Sequence, residues 1–223
     1  MILRLPDKPN EMFASNPKIW DEFKTQEWLA TQKLDGFRLL IVKDSLHKIV
    51  KSFRGSSNWA RGTNKDLFFL SRRGTNKGGP TNIPVCEEIV KIIEKMNLAD
   101  MTMLDSEWLE RRTKDDNIHE CVFLLDYMWK ADDWLGNSPH KDRIVLVNEL
   151  EIDNDWIRRP KYVTENYVGF YEKQKAISWT EGIVLKHVDS TIIGDDIECK
   201  KNPLWIKVKW RSGDTGREGV YNG

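Results

Sequence analysis

The sequence predicts an α+β fold in which antiparallel sheets are flanked by helices. Short apolar stretches typical of strands recur along the chain, turns or polar loops separate most of them, and only a few segments have helical spacing. The 223 residues are 39% hydrophobic and 31% charged, and 35 Lys and Arg balance 35 Asp and Glu. This composition is typical of a globular domain and excludes a disordered or fibrous chain.

The strand-forming stretches and the loops between them define the order of elements. Strands are predicted at 28–33, 37–43, 48–53, 67–71, 101–109, 121–127, 182–187 and 205–210, with a tight turn at Asp35-Gly36 between the first two. Polar loops that contain glycine are predicted at 55–66 and 74–82. Apolar residues at helical spacing predict a helix over 84–97, and amphipathic helices are predicted at 141–150 and 167–177.

Several classes of protein are disfavoured by simple counts. No stretch approaches the roughly 18 consecutive apolar residues of a membrane span. Charge and proline break the N-terminal segment too early for a signal peptide, so the cytoplasm, or the host cytoplasm for a viral protein, is expected. Cys86, Cys121 and Cys199 are far apart, which excludes a Cys-only zinc site and indicates reduced thiols.

Histidines and basic clusters carry weaker signals. His47, His119, His140 and His187 show no ligand spacing and are predicted to be structural or surface residues. Basic residues cluster at 158–161 and again over 200–217, where six Lys or Arg accompany one acid. Such clusters are compatible with nucleic-acid binding and equally with solvated faces.

The most informative string is Lys33-Leu34-Asp35-Gly36-Phe37-Arg38. A lysine becomes a nucleophile where burial or neighbouring cations favour its neutral amine. Here Lys33 adjoins a tight turn, the glycine permits close approach of a ligand, and the string supplies one further charge of each sign. The alternative interpretation is an ordinary hairpin turn with exposed charges.

Further segments follow this string in a set order: Ser71-Arg72 with Gly74, Leu104-Asp105-Ser106-Glu107, Val122 to Asp126, Glu181 to Lys186, and Trp205 to Lys209. With residues 33–38 they resemble motifs I, III, IIIa, IV and V of the covalent nucleotidyltransferase superfamily, which includes ATP-dependent DNA and RNA ligases and mRNA capping enzymes. Residues 135–143 also look like the stretch that follows motif IIIa in DNA ligases. The resemblance spans about residues 27–210 and implies an adenylyltransferase (ATP-grasp-like) domain with twisted antiparallel sheets.

The resemblance implies a covalent mechanism. The amine of Lys33 is implied to attack the α-phosphate of ATP, to release pyrophosphate and to leave lysyl-AMP. Asp35, Lys207 and Lys209 complete the implied catalytic set. Because Lys207 and Lys209 are two residues apart on a predicted strand, they are expected on one face, where both can offset phosphate charge.

Binding roles are implied in the same way. Residues implied to bind the nucleotide are Lys33, Arg38, Glu107, Phe123, Lys186 and Lys207. Arg38 and Arg72 are implied to contact nucleic-acid phosphates. Glu181, with Glu107, is implied to hold Mg²⁺, which is consistent with the preference of that ion for carboxylate oxygens.

Three positions depart from the family pattern. Ser106 stands where members usually have glycine. Leu125 stands where an aromatic residue commonly stacks on the base, and Phe123 is either its substitute or a core residue. Thr31 stands where many ligases have an acid, so base recognition does not carry over to this chain.

The resemblance identifies the chain as an ATP-dependent polynucleotide ligase domain that seals 5′-phosphate/3′-hydroxyl nicks. Duplex DNA is the preferred substrate, because residues 71–74, residues 105–107 and the region around Arg143 look like DNA ligases; this implies a role in DNA replication or repair. An RNA ligase is the nearest alternative. A capping guanylyltransferase and an inert nucleic-acid-binding domain are less favoured, and the four-cysteine zinc module of NAD⁺-dependent ligases is absent from the sequence.

Two further expectations concern organisation. Residues 1–210 are expected to form the adenylyltransferase domain, and 211–223 a linker toward a missing OB-fold domain. The 14 residues after Lys209 are too few for a five-stranded barrel. The domain is expected to act as a monomer on nicked duplex nucleic acid and to have no membrane partner.

Overall fold

Two β-sheets face each other and hold several of the predicted site residues between them. The computed structural model describes residues 7–13, 20, 23, 27–52, 66–71, 82–110, 120–152, 154–194 and 201–210. The strands are β1 (Lys8–Phe13), β2 (Trp28–Leu34), β3 (Phe37–Lys43), β4 (Leu67–Ser71), β5 (Thr102–Leu109), β6 (Cys121–Lys130), β7 (Asp133–Trp134), β8 (Ile157–Arg158), β9 (Tyr162–Val163), β10 (Thr180–His187) and β11 (Lys201–Lys209). The helices are α1 (Lys48–Ser52), α2 (Glu87–Lys95), α3 (His140–Glu149) and α4 (Tyr167–Gln174), with a 3₁₀ turn at Leu135–Asn137.

The strands form two separate sheets. Sheet A has the order β1-β11-β10-β2-β9, and sheet B has the order β4-β3-β5-β6-β7 with β8 beside β6. Most neighbours are antiparallel, but β1 runs parallel to β11 and β8 runs parallel to β6. The predicted α+β class is therefore confirmed, and the parallel pairs come from two strands that the sequence did not predict.

Helices cover the outer face of each sheet. Tyr167 and Phe170 of α4 pack with apolar residues of β10 and β11 on sheet A. Ile89 and Ile93 of α2, with Val147 of α3, pack on the outer face of sheet B. Between the sheets an apolar cluster from both sheets fills one end, and the other end stays open as a cavity. The four layers thus confine polar site residues to one end of the inter-sheet space.

The turn at Asp35-Gly36 is a crossover between sheets and not a hairpin, because β2 belongs to sheet A and β3 to sheet B. The Asp35 N–H donates to the carbonyl of Trp179 at 3.1 Å, which anchors the crossover to the segment before β10. A Cβ at Gly36 would lie 2.6 Å from the carbonyl oxygen of Trp108. Glycine is needed here because the crossover packs directly on the β5 backbone.

The strand predicted at 48–53 is wrong: this segment forms the short helix α1. The Asp44 carboxylate accepts hydrogen bonds from the backbone N–H groups of Lys48 and Val50, each at 2.9 Å. These bonds satisfy donors that a helix start leaves unpaired, so the chain turns into a helix despite its β-branched residues. Ile49 and Val50 are both fully buried, which places the helix against the core.

Strand β1 was not predicted, and a buried carboxylate explains its position. Asp7 accepts hydrogen bonds from the N–H groups of Ile193 and Gly194, at 2.8 and 2.6 Å, and from the Asn202 side chain at 2.8 Å. These contacts join the start of β1 to sequence-distant segments around β11. The local sequence around β1 does not predict these contacts.

Several predicted features fall outside the described residues. They are Arg72, Gly74, His119 and Cys199, most of the two predicted loops, Lys200, and the segment 211–223. Within the described residues, none of the helices has the length and apolar character needed to cross a membrane.

Candidate active site

A cavity of about 720 Å³ opens between the inner faces of sheets A and B. Strand register decides which side chains enter it from sheet A. Directly opposite residues share a face, so Thr31, Val184 and Lys207 form one row across β2, β10 and β11. All three contribute to the cavity wall.

Lys33 and Lys209 occupy the next row, on either side of Gly182. The carboxylate of Glu181 joins them: one oxygen accepts from Lys33, and the other accepts from the Lys209 Nζ at 2.8 Å. Lys33 and Glu181 both line the cavity. The structure therefore brings the predicted nucleophile, the predicted metal ligand and one predicted lysine into a single cluster.

A break in strand register places Glu181 on that face. Thr180 pairs with Leu34 and Gly182 pairs with Lys33, so Glu181 is an extra residue in β10. Strict alternation would set Glu181 and Gly182 on opposite faces, whereas a bulge re-aims the side chain. The bulge thus directs a carboxylate toward the two lysines.

Gly182 is required by its backbone and by its neighbour. Its φ of +154° is one that side chains rarely adopt, and a Cβ there would lie 2.1 Å from the Val208 carbonyl oxygen. Any side chain would push β10 away from β11. The glycine therefore holds the strand with Lys209 close to the strand with Glu181.

Glu181 is ionised at neutral pH. Burial alone would raise the pKa of this carboxyl, but the ion pairs with Lys33 and Lys209 outweigh it and lower the pKa below its ordinary value. Two lysines therefore accompany the Glu181 carboxylate at this end of the cavity. Such an end of a cavity suits a phosphate group.

The wall from sheet B carries Arg38 and Glu107, which pair across β3 and β5 and line the cavity. Arg38 binds the carboxylate of Asp105 through two nitrogens. Asp105 is fully buried, and burial raises its pKa against the opposing effect of Arg38. Arg38 is thus held in place by an acid that sequence reasoning did not assign to the site.

Ser106, where the resemblance leads one to expect glycine, lies beside an irregularity in the pairing of β5 with β6. Its side chain alternates away from Asp105 and Glu107, and its hydroxyl donates to the Leu39 carbonyl at 2.7 Å. The residue is fully buried, and this bond satisfies its hydroxyl donor.

A buried network lies deeper in the space between the sheets. Asp126 receives two hydrogen bonds from the guanidinium of Arg143, at 2.8 and 3.1 Å, and Lys186 Nζ lies 3.5 Å from the same carboxylate. Burial alone would raise the pKa of Asp126, but Arg143 and Lys186 outweigh it and hold the pKa well below its ordinary value. Lys186 lines the cavity, and its Nζ lies 4.0 Å from the ring centre of Trp205.

Three other residues of the sequence analysis differ in their relation to the cavity. They are Phe123, Leu125 and Asp35. Phe123 is buried in a small cluster, with its ring 5.3 Å from that of Trp179, and it is not among the residues that line the cavity. Leu125 does line the cavity. Asp35 lies at the crossover, adjacent to the cavity-lining residues Leu34 and Gly36. The structure therefore brings Leu125, and not Phe123, to the cavity wall.

His140 is one of the cavity residues that sequence reasoning did not assign to the site. It was predicted to be structural or on the surface, yet it begins α3 and forms part of the cavity wall. No spacing signal in the sequence could have identified it, because its neighbours in the cavity come from distant strands.

The basic cluster at 158–161 serves the fold. Arg159 donates to the carbonyls of Val147 and Asn148 at 3.0 and 3.1 Å, and so caps the C-terminal end of α3. Arg158 pairs with Asp155 at 3.1 Å. These two arginines are therefore engaged in local contacts.

The donor set fits a magnesium ion that a substrate helps to bind. The described residues hold no group of three His, Cys, Asp or Glu side chains that could bind a metal alone. Glu181 and Glu107 each place a carboxylate in the cavity wall. One or two carboxylates completed by substrate phosphates are the usual protein site for Mg²⁺.

Comparison with solved structures relates this fold to ligases. A structure of mycobacterial DNA ligase D complexed with ATP and MES matches with a TM-score of 0.59 at 15% identity, over 92% of this chain and 60% of that chain. The ligase domain of M. tuberculosis LigD matches with a TM-score of 0.55 at 16% identity, over 92% of this chain and 59% of that chain. A Lig E DNA ligase, from a study of DNA binding with a minimal scaffold, matches with a TM-score of 0.54 at 14% identity, over 93% of this chain and 69% of that chain.

The chain thus spans about 60% of the length of the ligase D chain. No protein-family model matches the sequence, and no curated protein has a similar sequence. The shared arrangement extends over almost the whole of this chain in all three structures. This chain therefore has the fold of the ligase domain of ATP-dependent DNA ligases.

Proposed function

We propose that this chain is the adenylyltransferase domain of an ATP-dependent polynucleotide ligase and that Lys33 is its nucleophile. The observation that carries the proposal is the cluster in which Glu181 joins Lys33 to Lys209 at the wall of the cavity. It supplies a nucleophilic amine, cations for phosphate and a carboxylate within one site. The ligase fold supports the same function.

In the first step the Lys33 amine attacks the α-phosphorus of ATP. Lys33 must first give one proton to the Glu181 carboxylate, which accepts its hydrogen bond, so that the lone pair is free to attack. A P–N bond then forms, the bond between the α-phosphorus and the bridging oxygen breaks, and pyrophosphate leaves with the second proton of the amine. Lys209 and Lys207 then offset the charge that develops on the phosphate oxygens.

Glu181, with Glu107 as the second candidate, would hold Mg²⁺. When bound, that ion polarises a phosphoryl oxygen. Arg38 and Lys186 line the same cavity and are proposed to contact the nucleotide, and Glu107 is also proposed to contact the ribose. Asp35 is proposed to support the crossover next to the nucleophile.

The second and third steps transfer AMP to a 5′-phosphate and join that end to a 3′-hydroxyl with loss of AMP. Nicked duplex DNA is the proposed substrate, and Arg38 and Arg72 are the proposed phosphate contacts. An RNA ligase is the second candidate, because the proposed formation of lysyl-AMP does not depend on whether the strand to be sealed is DNA or RNA.

The test is incubation with ATP or GTP labelled at the α-phosphate, with Mg²⁺, followed by denaturing electrophoresis. The wild type should acquire label from ATP, as a bond that is labile to acid and stable to base. Lys33→Ala should acquire none, whereas the matched control Lys91→Ala should label fully, because Lys91 is exposed on α2 and pairs with Glu87. Full labelling of Lys33→Ala would refute the nucleophile, and labelling from GTP alone would indicate guanylyl transfer.

Substrate choice is tested with matched nicked duplexes. Sealing of a nick between DNA strands should exceed sealing of a nick between RNA strands. Affinity should fall steeply with salt, because contacts to phosphates release counterions. A clear preference for an RNA 3′-hydroxyl strand would move the assignment to RNA ligase. Salt-dependent binding without any covalent label would indicate an inert nucleic-acid-binding domain.

A further inference from the structure

His140 is a buried polar residue in the wall of the cavity. Only 1% of it is exposed, and it lies beside Lys186 and Trp205, with its ring centre 6.4 Å from that of Trp205. Residues at this depth are normally apolar or fully hydrogen-bonded. His140 is neither.

The two ring nitrogens of His140 differ in their surroundings. Nδ1 lies 3.5 Å from a carboxylate oxygen of Asp126 and interacts with it, whereas Nε2 has no hydrogen-bond partner among the described residues. That carboxylate already receives two hydrogen bonds from Arg143 and faces Lys186. An unsatisfied buried polar group is destabilising, so Nε2 calls for a partner that the described residues do not supply.

The imidazole presents one donor and one acceptor. Burial, with Lys186 nearby, lowers the pKa of His140 to about 4, so the ring is neutral at pH 7. Asp126 on β6 faces the imidazole and raises its pKa, whereas Arg143, on the same helix as His140, lowers it further. A neutral ring suits an uncharged ligand group with its own donor and acceptor.

The position of His140 in the cavity indicates which ligand group this is. Lys186 follows Gly182 by four residues on β10, which places this end about 13 Å along the sheet from the row of Lys33 and Lys209. That separation is comparable with the extent of a nucleoside monophosphate. The floor between the two ends includes the uncharged residues Thr31 and Val184. A nucleotide whose phosphates lie at the lysines therefore directs its base toward His140.

We infer that His140 recognises the nucleobase of the bound nucleotide through a hydrogen bond between the imidazole and an edge of the base. The inference rests on the proposed function and adds to it the residue that reads the base. The ligand supplies the partner that Nε2 lacks among the described residues.

The test separates base recognition from phosphate binding. Affinities for ATP and for inorganic tripolyphosphate are measured by calorimetry with the same Mg²⁺, for the wild type, His140→Leu and His140→Gln. His140→Leu should weaken ATP binding about tenfold, the upper end of one hydrogen bond, and should leave tripolyphosphate binding unchanged. His140→Gln keeps a donor and an acceptor and should recover part of the loss. His187→Leu is the matched control, because His187 contacts Trp28 and Glu27 away from the cavity.

Each outcome decides the inference. Equal ATP affinity in the wild type and His140→Leu overturns it, and so does an equal loss for ATP and tripolyphosphate. If His140 had a purely structural role, His140→Leu would be unstable at pH 7. If its Nε2 instead lacks a hydrogen-bond partner, the melting temperature of His140→Leu should be unchanged or higher. Marked destabilisation of His140→Leu therefore also overturns the inference. If the wild type neither binds ATP nor acquires label, the proposed function fails; if it does both and only the His140 comparison is flat, the inference alone fails.

Discussion

Substitution of His140 by leucine should reduce the loss of folding stability between pH 7.5 and pH 5. In the folded protein the pKa of His140 is lowered from 6.5 to about 4 by burial and by Lys186. The charged groups that face it are Asp126 on β6, Lys186 on β10 and Arg143 on its own helix. Leucine fills a similar space and does not titrate.

The sign and size of this change in the free energy of unfolding follow from proton linkage. Between pH 6.5 and pH 4 the unfolded chain binds a proton at this histidine that the folded chain does not bind, so stability is full above pH 6.5 and falls as the pH is lowered through this window. Each pKa unit corresponds to about 1.4 kcal/mol. From pH 7.5 to pH 5 the wild type should therefore lose about 2 kcal/mol through His140 alone.

The assay is urea unfolding followed by tryptophan fluorescence, which the ten tryptophans make sensitive, with linear extrapolation to water at both pH values. The drop in the free energy of unfolding between pH 7.5 and pH 5 should be about 2 kcal/mol smaller for His140→Leu than for the wild type. His140→Gln should lose the same pH dependence, which separates titration from packing. Equal drops in all three proteins would refute the reasoning.

Three further predictions test the site and its frame. Lys207→Ala should raise the barrier to lysyl-AMP formation by about 3 kcal/mol, as loss of one donor to a developing oxyanion does, in single-turnover labelling; wild-type rates would show that its side chain is only solvated. Gly182→Ala should lower both the melting temperature and the labelling rate, because its Cβ would meet the Val208 carbonyl at 2.1 Å, and an unchanged melting temperature would contradict the need for glycine. Asp126→Asn should cost about 3–5 kcal/mol in urea unfolding, since it leaves the buried Arg143 without its charged partner, whereas a loss below 1 kcal/mol would show that the pair is dispensable.

Local patterns in the sequence predicted much of the fold. Short apolar stretches located the major strands other than β1, and the two-residue period of a strand put Lys207 and Lys209 on one face, as β11 shows. Helical spacing located α2, α3 and α4 to within a few residues. These features depend on neighbours within one turn or one strand, so the sequence encodes them directly.

The pattern of apolar residues failed to predict two features, the helix α1 and the crossover between β2 and β3. The segment that forms α1 has strand-forming residues, and the Asp44 carboxylate nevertheless turns it into a helix. Asp35-Gly36 has the signature of a hairpin turn, but β2 and β3 find their partners in different sheets. In both cases the decisive contacts are not visible in the pattern of apolar residues.

The sequence by itself determined which residue types bear the chemistry, their order along the chain and the strand faces from which several of them project. Only the tertiary structure decided that a bulge turns Glu181 toward Lys33 and Lys209, that Arg38 is held by Asp105, and that His140 reaches the cavity. The physical reason is that alternation specifies a face, whereas register, bulges and buried ion pairs depend on which distant strand becomes the neighbour. That choice is made by packing the two sheets and their helices together.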